Sequence, residues 1–309
     1  MPIGSAVADS GIAVRTCGKA SALSSCVTRQ FAGAVLIVGA LAWLYADVLI
    51  ALVRQWGTDD NYSHGFLVPL FAAYFVWERR RSLAAARPQP TAIGAGVVVL
   101  SLGLFLAGVF AAELFLTRVS LLFLLAGVVL FVWGPTHLKL VSFPIAFLLL
   151  MIPLPAILFN QIAFPLQLTA SRVGEVMIAA AGIPVLRDGN ILQLPGRTLE
   201  VAEACSGIRS LISLLMLSIL LGYFTETSSV RRTMIALAAV PLAIATNAIR
   251  VAGTGVASQW IGPSAADGFF HTFSGWLLFL VTCGALMLLQ RVFPRGVSRA
   301  RADVPLPAL

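Results

Sequence analysis

Apolar runs long enough to cross a lipid bilayer follow one another along this chain, hardly broken by charge. Phe31–Val53, Thr91–Ala112, Leu114–Trp133 and Ser206–Phe224 each suffice to cross a hydrocarbon core of about 30 Å at about 1.5 Å per residue. Only 11% of the 309 residues are charged, and mean hydropathy is +0.94, whereas a soluble domain carries about 25%. Within hydrocarbon every backbone N–H and C=O needs a partner inside the protein, so such runs become helices. The expected fold is therefore an all-α, polytopic bundle embedded in the lipid bilayer. Phe66–Trp77, Leu138–Ile152, Thr233–Arg250 and His271–Leu289 complete a count of about eight transmembrane helices.

Three regions follow from that pattern. Residues 1–30 are a polar, weakly basic tail, expected to be cytoplasmic and disordered; 31–293 form a single transmembrane domain; 294–309 are a second cytoplasmic tail. With the N-terminus inside, 14 of the 21 Lys and Arg fall in cytoplasmic segments, which is the orientation the positive-inside rule selects. The same bias accounts for the net charge of +8 without a nucleic-acid partner. Residues 156–183 are apolar but interrupted by Asn160, Gln161, Gln167, Arg172 and Glu175, which suggests amphipathic helices at the interface. From Pro184 the period falls to two. Asp188-Gly189 and Pro195-Gly196 mark turns around short strands, so a small β-hairpin or meander outside the bilayer precedes residue 205.

Candidate chemistry gathers where that meander meets the next helix, at Glu203-Ala204-Cys205-Ser206-Gly207-Ile208-Arg209. Ionisable groups at a membrane helix mouth are functional candidates. The helix after Cys205 descends to Arg231-Arg232, and Arg250 comes 18 residues after Arg232, about 27 Å of return. The last helix opens at His271 and reaches Arg291 on the inside. Cys205, Arg250 and His271 thus share one depth on three consecutive helices, which usually pack together.

A thiol of pKa about 8.5 needs activation, and a helix N-terminus and the nearby Arg209 both favour the thiolate. His271 suits proton transfer, and Arg250, always protonated, suits an oxyanion. Asn247, one turn before Arg250, offers a hydrogen bond. Glu203, Ser206 and Arg209 flank the cysteine, and His64 lies on the same outer side. Cys283 reads as a core filler. The four cysteines and three histidines have no metal spacing, so neither metal nor cofactor is expected.

Three segments in this order resemble the exosortase family: Val201–Leu211 around Cys205, Pro241–Val251 around Asn247 and Arg250, and Gly268–Trp276 around His271. Asn61-Tyr62-Ser63-His64-Gly65 and Arg79-Arg80-Arg81 are similar to the family's N-terminal region. The resemblance implies a cysteine transpeptidase or protease of the bacterial inner membrane, with Cys205, Arg250 and His271 catalytic. It implies membrane-anchored substrates whose C-terminal tails carry a Pro-Glu-Pro-like motif, one transmembrane helix and a basic cluster. It also implies transfer to an envelope glycan or lipid acceptor. A transporter, or a non-catalytic subunit of an exopolysaccharide export system, is the competing reading.

Overall fold

The computed structural model describes residues 39–201, 207–262 and 269–292, the side chains of 269–274 and 292 excepted. Two compact units divide the chain at Arg54–Gln55. The described part of the first, 39–54, is helical throughout (α1). The second unit carries the rest. It opens with a 3-10 turn, Asp60–Phe66, followed by α2 (Leu67–Glu78), α3 (Arg80–Ala85), α4 (Ala92–Phe110) and α5 (Leu114–Val132). Next come α6 (Pro135–Phe147), a 3-10 turn Leu148–Met151 and α7 (Ala156–Ala180). Strands β1 (Leu186–Asp188), β2 (Ile191–Leu194) and β3 (Arg197–Glu200) lead to α8 (Ile208–Thr225), α9 (Ser229–Trp260) and α10 (Phe269–Val292).

The all-α polytopic expectation holds. Among the described residues, α4, α5, α8 and α9 are long and apolar enough to cross a membrane. A fifth crossing results if the bent pair Pro135–Met151 and Ala156–Ala180, angled at 78°, acts as one span. The short span expected at Phe66–Trp77 is helix α2, whose 12 residues give only about 18 Å of rise.

Helix α4 lies against α5 at backbone contact. A Cβ on Gly94 would lie 2.2 Å from the Phe131 nitrogen, and one on Gly127 would lie 2.9 Å from the Val98 nitrogen. Ser101 Oγ donates to the Ser120 carbonyl at 2.8 Å. Small residues at such an interface let dispersion and hydrogen bonding replace the hydrophobic drive that lipid does not supply.

At the opposite end of α8 an aromatic knot ties four helices. Phe75 of α2 and Phe143 of α6 lie 4.3 Å and 5.0 Å from the Tyr223 ring of α8. The Arg232 guanidinium of α9 sits 5.0 Å over that ring. Tyr223 donates to Glu78 at 2.7 Å, and Arg231 pairs with the buried Glu226 at 2.9 Å, closing the α8–α9 turn.

Residues 156–183, expected as amphipathic helices, are chiefly one continuous helix of 25 residues with Pro165 inside it. Two of the five polar interruptions that prompted the interfacial reading, Gln167 and Glu175, turn into the protein, while Asn160, Gln161 and Arg172 stay exposed. Gln167 and Ser171 are buried, Ser171 Oγ donates to Gly189 O at 3.0 Å, and Glu175 pairs with Arg187 of β1 at 3.1 Å. The expected meander is present as three antiparallel strands in the order β1-β2-β3. Leu194 faces Arg197 across Pro195-Gly196, where Gly196 has φ 71°; proline then glycine with positive φ is the signature of a type II turn. Leu192, Leu194 and Val201 bury against Ala170 and Ile178 of α7 and Val251 and Ala252 of α9.

That contact explains another difference from expectation. The seventh span was placed at Thr233–Arg250, but α9 runs 32 residues to Trp260, about 48 Å. Its last turns are small on the inner face, and a Cβ on Gly255 would come within 2.5 Å of Ile178. Arg250 consequently lies inside a helix braced by α7 and the sheet, rather than at a frayed end.

Candidate functional site

Three of the sequence candidates, Glu203, Cys205 and Ser206, lie outside the described residues. The chain becomes described again at Gly207, whose φ of 77° is left-handed. Glycine adopts that conformation without the steric cost a Cβ imposes. Its carbonyl accepts from Leu211 N–H at 2.8 Å, so the first hydrogen bond of α8 forms two residues after Cys205.

Gly207 also lies close against α9. A Cβ at this position would lie 2.8 Å from Asn247 Cγ and 3.0 Å from its Nδ2. Asn247 is buried, with 6% of its surface exposed. Arg250 lies three residues further along α9. Its Nη1 is 3.6 Å from the position a Cβ would take on Gly275 of α10. Gly275 is one turn past His271, whose backbone lies in the first turn of α10. The two α9 residues singled out from sequence thus face the segment following Cys205 on one side and the segment following His271 on the other.

Between α8, α9 and α10 lies a small, partly open cleft, lined by Ser210, Thr246, Asn247, Arg250, Gly275 and Thr282 among others. Thr246 and Thr282 hydrogen-bond at 2.7 Å across its deeper part. A second small cleft is lined on the other side of Asn247 by Leu166, Gly207 and Leu211. A guanidinium, an amide and three hydroxyls in an otherwise apolar bundle can bind a carbonyl or carboxylate, since low dielectric strengthens each such contact.

Arg209 reaches a segment far away in the sequence. Its guanidinium turns to the 3-10 turn before α2, with Nη1 3.4 Å from Asp60 Oδ2 and Nε 3.4 Å from Asn61 Oδ1. Sequence reasoning singled out neither Asp60 nor Asn61 as a site residue. The available signal was a pair of aspartates, Asp59-Asp60, in a chain with only 13 acidic residues.

His64 is buried rather than an open loop residue. Its Nε2 donates to the Leu150 carbonyl at 3.1 Å, and Tyr62 Oη accepts from Leu154 N–H at 3.1 Å. Burial holds the imidazole below the ordinary histidine pKa, outweighing the opposite pull of the Leu150 and Asn61 backbone contacts. That favours the neutral ring and a structural role. Cys283 packs with Leu214, Ala239 and Leu286, as a core filler should.

Fold and site together define a multi-pass helical membrane protein with a polar, arginine-lined pocket between its last three helices. Residues 56–288 match the family model described as transmembrane exosortase. The chain belongs to the exosortase family. No curated protein and no solved structure matches it.

Proposed function

We propose that this exosortase is a membrane cysteine transpeptidase that cuts C-terminal sorting tails at the periplasmic face of a bacterial inner membrane. The observation that carries the proposal is the placement of α9, with Asn247 against Gly207 and Arg250 against Gly275. Gly207 follows Cys205 by two residues and Gly275 follows His271 by four, which supports one shared site.

In this reading Cys205 gives its proton to His271 and attacks a peptide carbonyl, and Arg250 stabilises the oxyanion. The carbon–nitrogen bond then breaks. His271 returns the proton to the leaving amine, and a thioester remains on Cys205. A nucleophilic group of an envelope glycan or lipid, or water, displaces the thiolate and completes the reaction. The substrate is membrane-anchored, its helix beside the bundle and its basic end at the cytoplasmic side, where both termini of the enzyme also lie. Asn247 orients the scissile segment, and Glu203 and Ser206 border it.

Co-expression with a reporter bearing a tripartite tail tests the reading through its mobility shift. Cys205→Ala and His271→Ala should abolish processing. Arg250→Ala should lower its rate by about 10²–10³, the usual loss for one oxyanion donor. Processing that survives Cys205→Ala refutes the mechanism. A conduit reading draws on the bent pair of α6 and α7, since broken helices line transporter sites. Alkylation of Cys205 separates the two, because it silences an enzyme and leaves transport measurable.

A further inference from the structure

The turn that meets Arg209 has a rigid base and a loose tip. At the base, Trp56 Nε1 donates to Met151 O at 2.9 Å, and Tyr62 and His64 are fixed to Leu154 and Leu150 at 3.1 Å each. Asp59 caps the turn by accepting from Asn61 N–H at 2.9 Å. At the tip, the Asp60–Arg209 contact is 3.4 Å, with the aspartate side chain 80% exposed and the arginine 46%. A charge-assisted N–H···O bond at full strength is about 2.7–2.9 Å, and an exposed ion pair contributes little to stability. The pair is therefore weak and open to exchange, at the tip of a turn held at its base by three hydrogen bonds.

Arg209 lies four residues after Cys205, in the first turn of α8. We propose that Asp60 is an internal stand-in for a substrate carboxylate: it occupies Arg209 in the resting enzyme and yields it to an acidic side chain of the incoming sorting tail. Asn61 stays as the neutral second partner of the guanidinium. Asp60 thereby sets specificity. A neutral tail gains nothing by displacing it, whereas an acidic tail must compete with it. The inference rests on the sorting-tail reading above.

The test is a binding cycle on the full-length chain carrying Cys205→Ser, in lipid nanodiscs, so that no turnover intervenes. The probes are two synthetic single-helix peptides with a basic end, one capped Pro-Glu-Pro and the other Pro-Gln-Pro. The Glu peptide should bind more tightly than the Gln peptide. Asp60→Asn should tighten the Glu peptide by about two- to fivefold, the range for removing an exposed competing ion pair, and leave the Gln peptide unchanged. Arg209→Gln should erase both the preference and the Asp60→Asn effect.

Equal changes for the two peptides, weaker Glu binding in Asp60→Asn, or no saturable binding of either peptide overturns the proposal. Cleavage of the Glu peptide by the enzyme with Cys205 intact is read separately. A binding cycle that holds without any cleavage sinks the sorting mechanism and spares the latch. Cysteine-dependent cleavage with no Asp60 effect does the reverse.

Discussion

Replacing Gly207 by alanine perturbs the junction between the cysteine segment and α9 with a single methyl group. Two costs add. The residue sits at φ 77°, where an L side chain costs about 1–2 kcal/mol. The new Cβ would also lie 2.8 Å from Asn247 Cγ and 2.9 Å from Asn247 Cβ, and overpacking of this kind costs about 1–3 kcal/mol. The expected loss is about 2–5 kcal/mol in all. Unfolding in mixed micelles, followed by far-UV circular dichroism, measures it.

The steric part belongs to Asn247 and can be removed. Asn247→Gly alone costs at least about 1 kcal/mol for a glycine within α9, yet it should return about 1–3 kcal/mol when combined with Gly207→Ala. Asn247→Ala should return less, because its Cβ remains in the way. The backbone share persists in every combination. A Gly207→Ala loss below about 0.5 kcal/mol, the usual scatter of inert surface changes, refutes the reasoning. So does a loss that Asn247→Gly fails to relieve.

Two further outcomes follow from other parts of the molecule. Burial depresses the His64 pKa in the folded protein, so its neutral form stabilises the fold above the unfolded value of about 6.5. That contribution is lost as pH falls below about 6.5, at no more than about 1.4 kcal/mol per pH unit. His64→Gln, whose amide can still donate to Leu150, should flatten that part of a stability–pH profile; an unchanged slope between pH 6.5 and 5.5 assigns it to other groups. Gly94→Ala should splay the α4–α5 pair, since its Cβ would meet the Phe131 backbone nitrogen at 2.2 Å, at a cost of about 3 kcal/mol or more. Protein yield and thermal stability should fall while the KM of the folded fraction stays at the wild-type value; a changed KM would tie this distant hairpin to the site.

The chemistry-bearing segments of this family were legible because each is local. Cys205 at a helix mouth and Asn247 three residues before Arg250 are written in short stretches of chain. So are the Pro195-Gly196 turn and the alternating strands around it. The membrane class was equally plain from apolar run length and scarce charge, because lipid imposes its rule on every segment separately.

What a residue faces is another matter. Gln167 and Glu175 look like contacts to headgroups until the fold buries the first and supplies Arg187 as a partner for the second. The length of α9 was underestimated because its continuation past Arg250 is stabilised by α7 and the sheet, not by any local signal. Arg209, four residues after Cys205, read as a neighbour of the thiol. Its guanidinium meets Asp60, 149 positions earlier in the chain, a partner no local signal announces. Composition and run length alone made the lipid solvent and the helical class legible, since lipid acts on each segment separately. The tertiary structure alone decided which side chains are paired and where a helix stops, because burial and charge pairing arise only between segments the chain brings together.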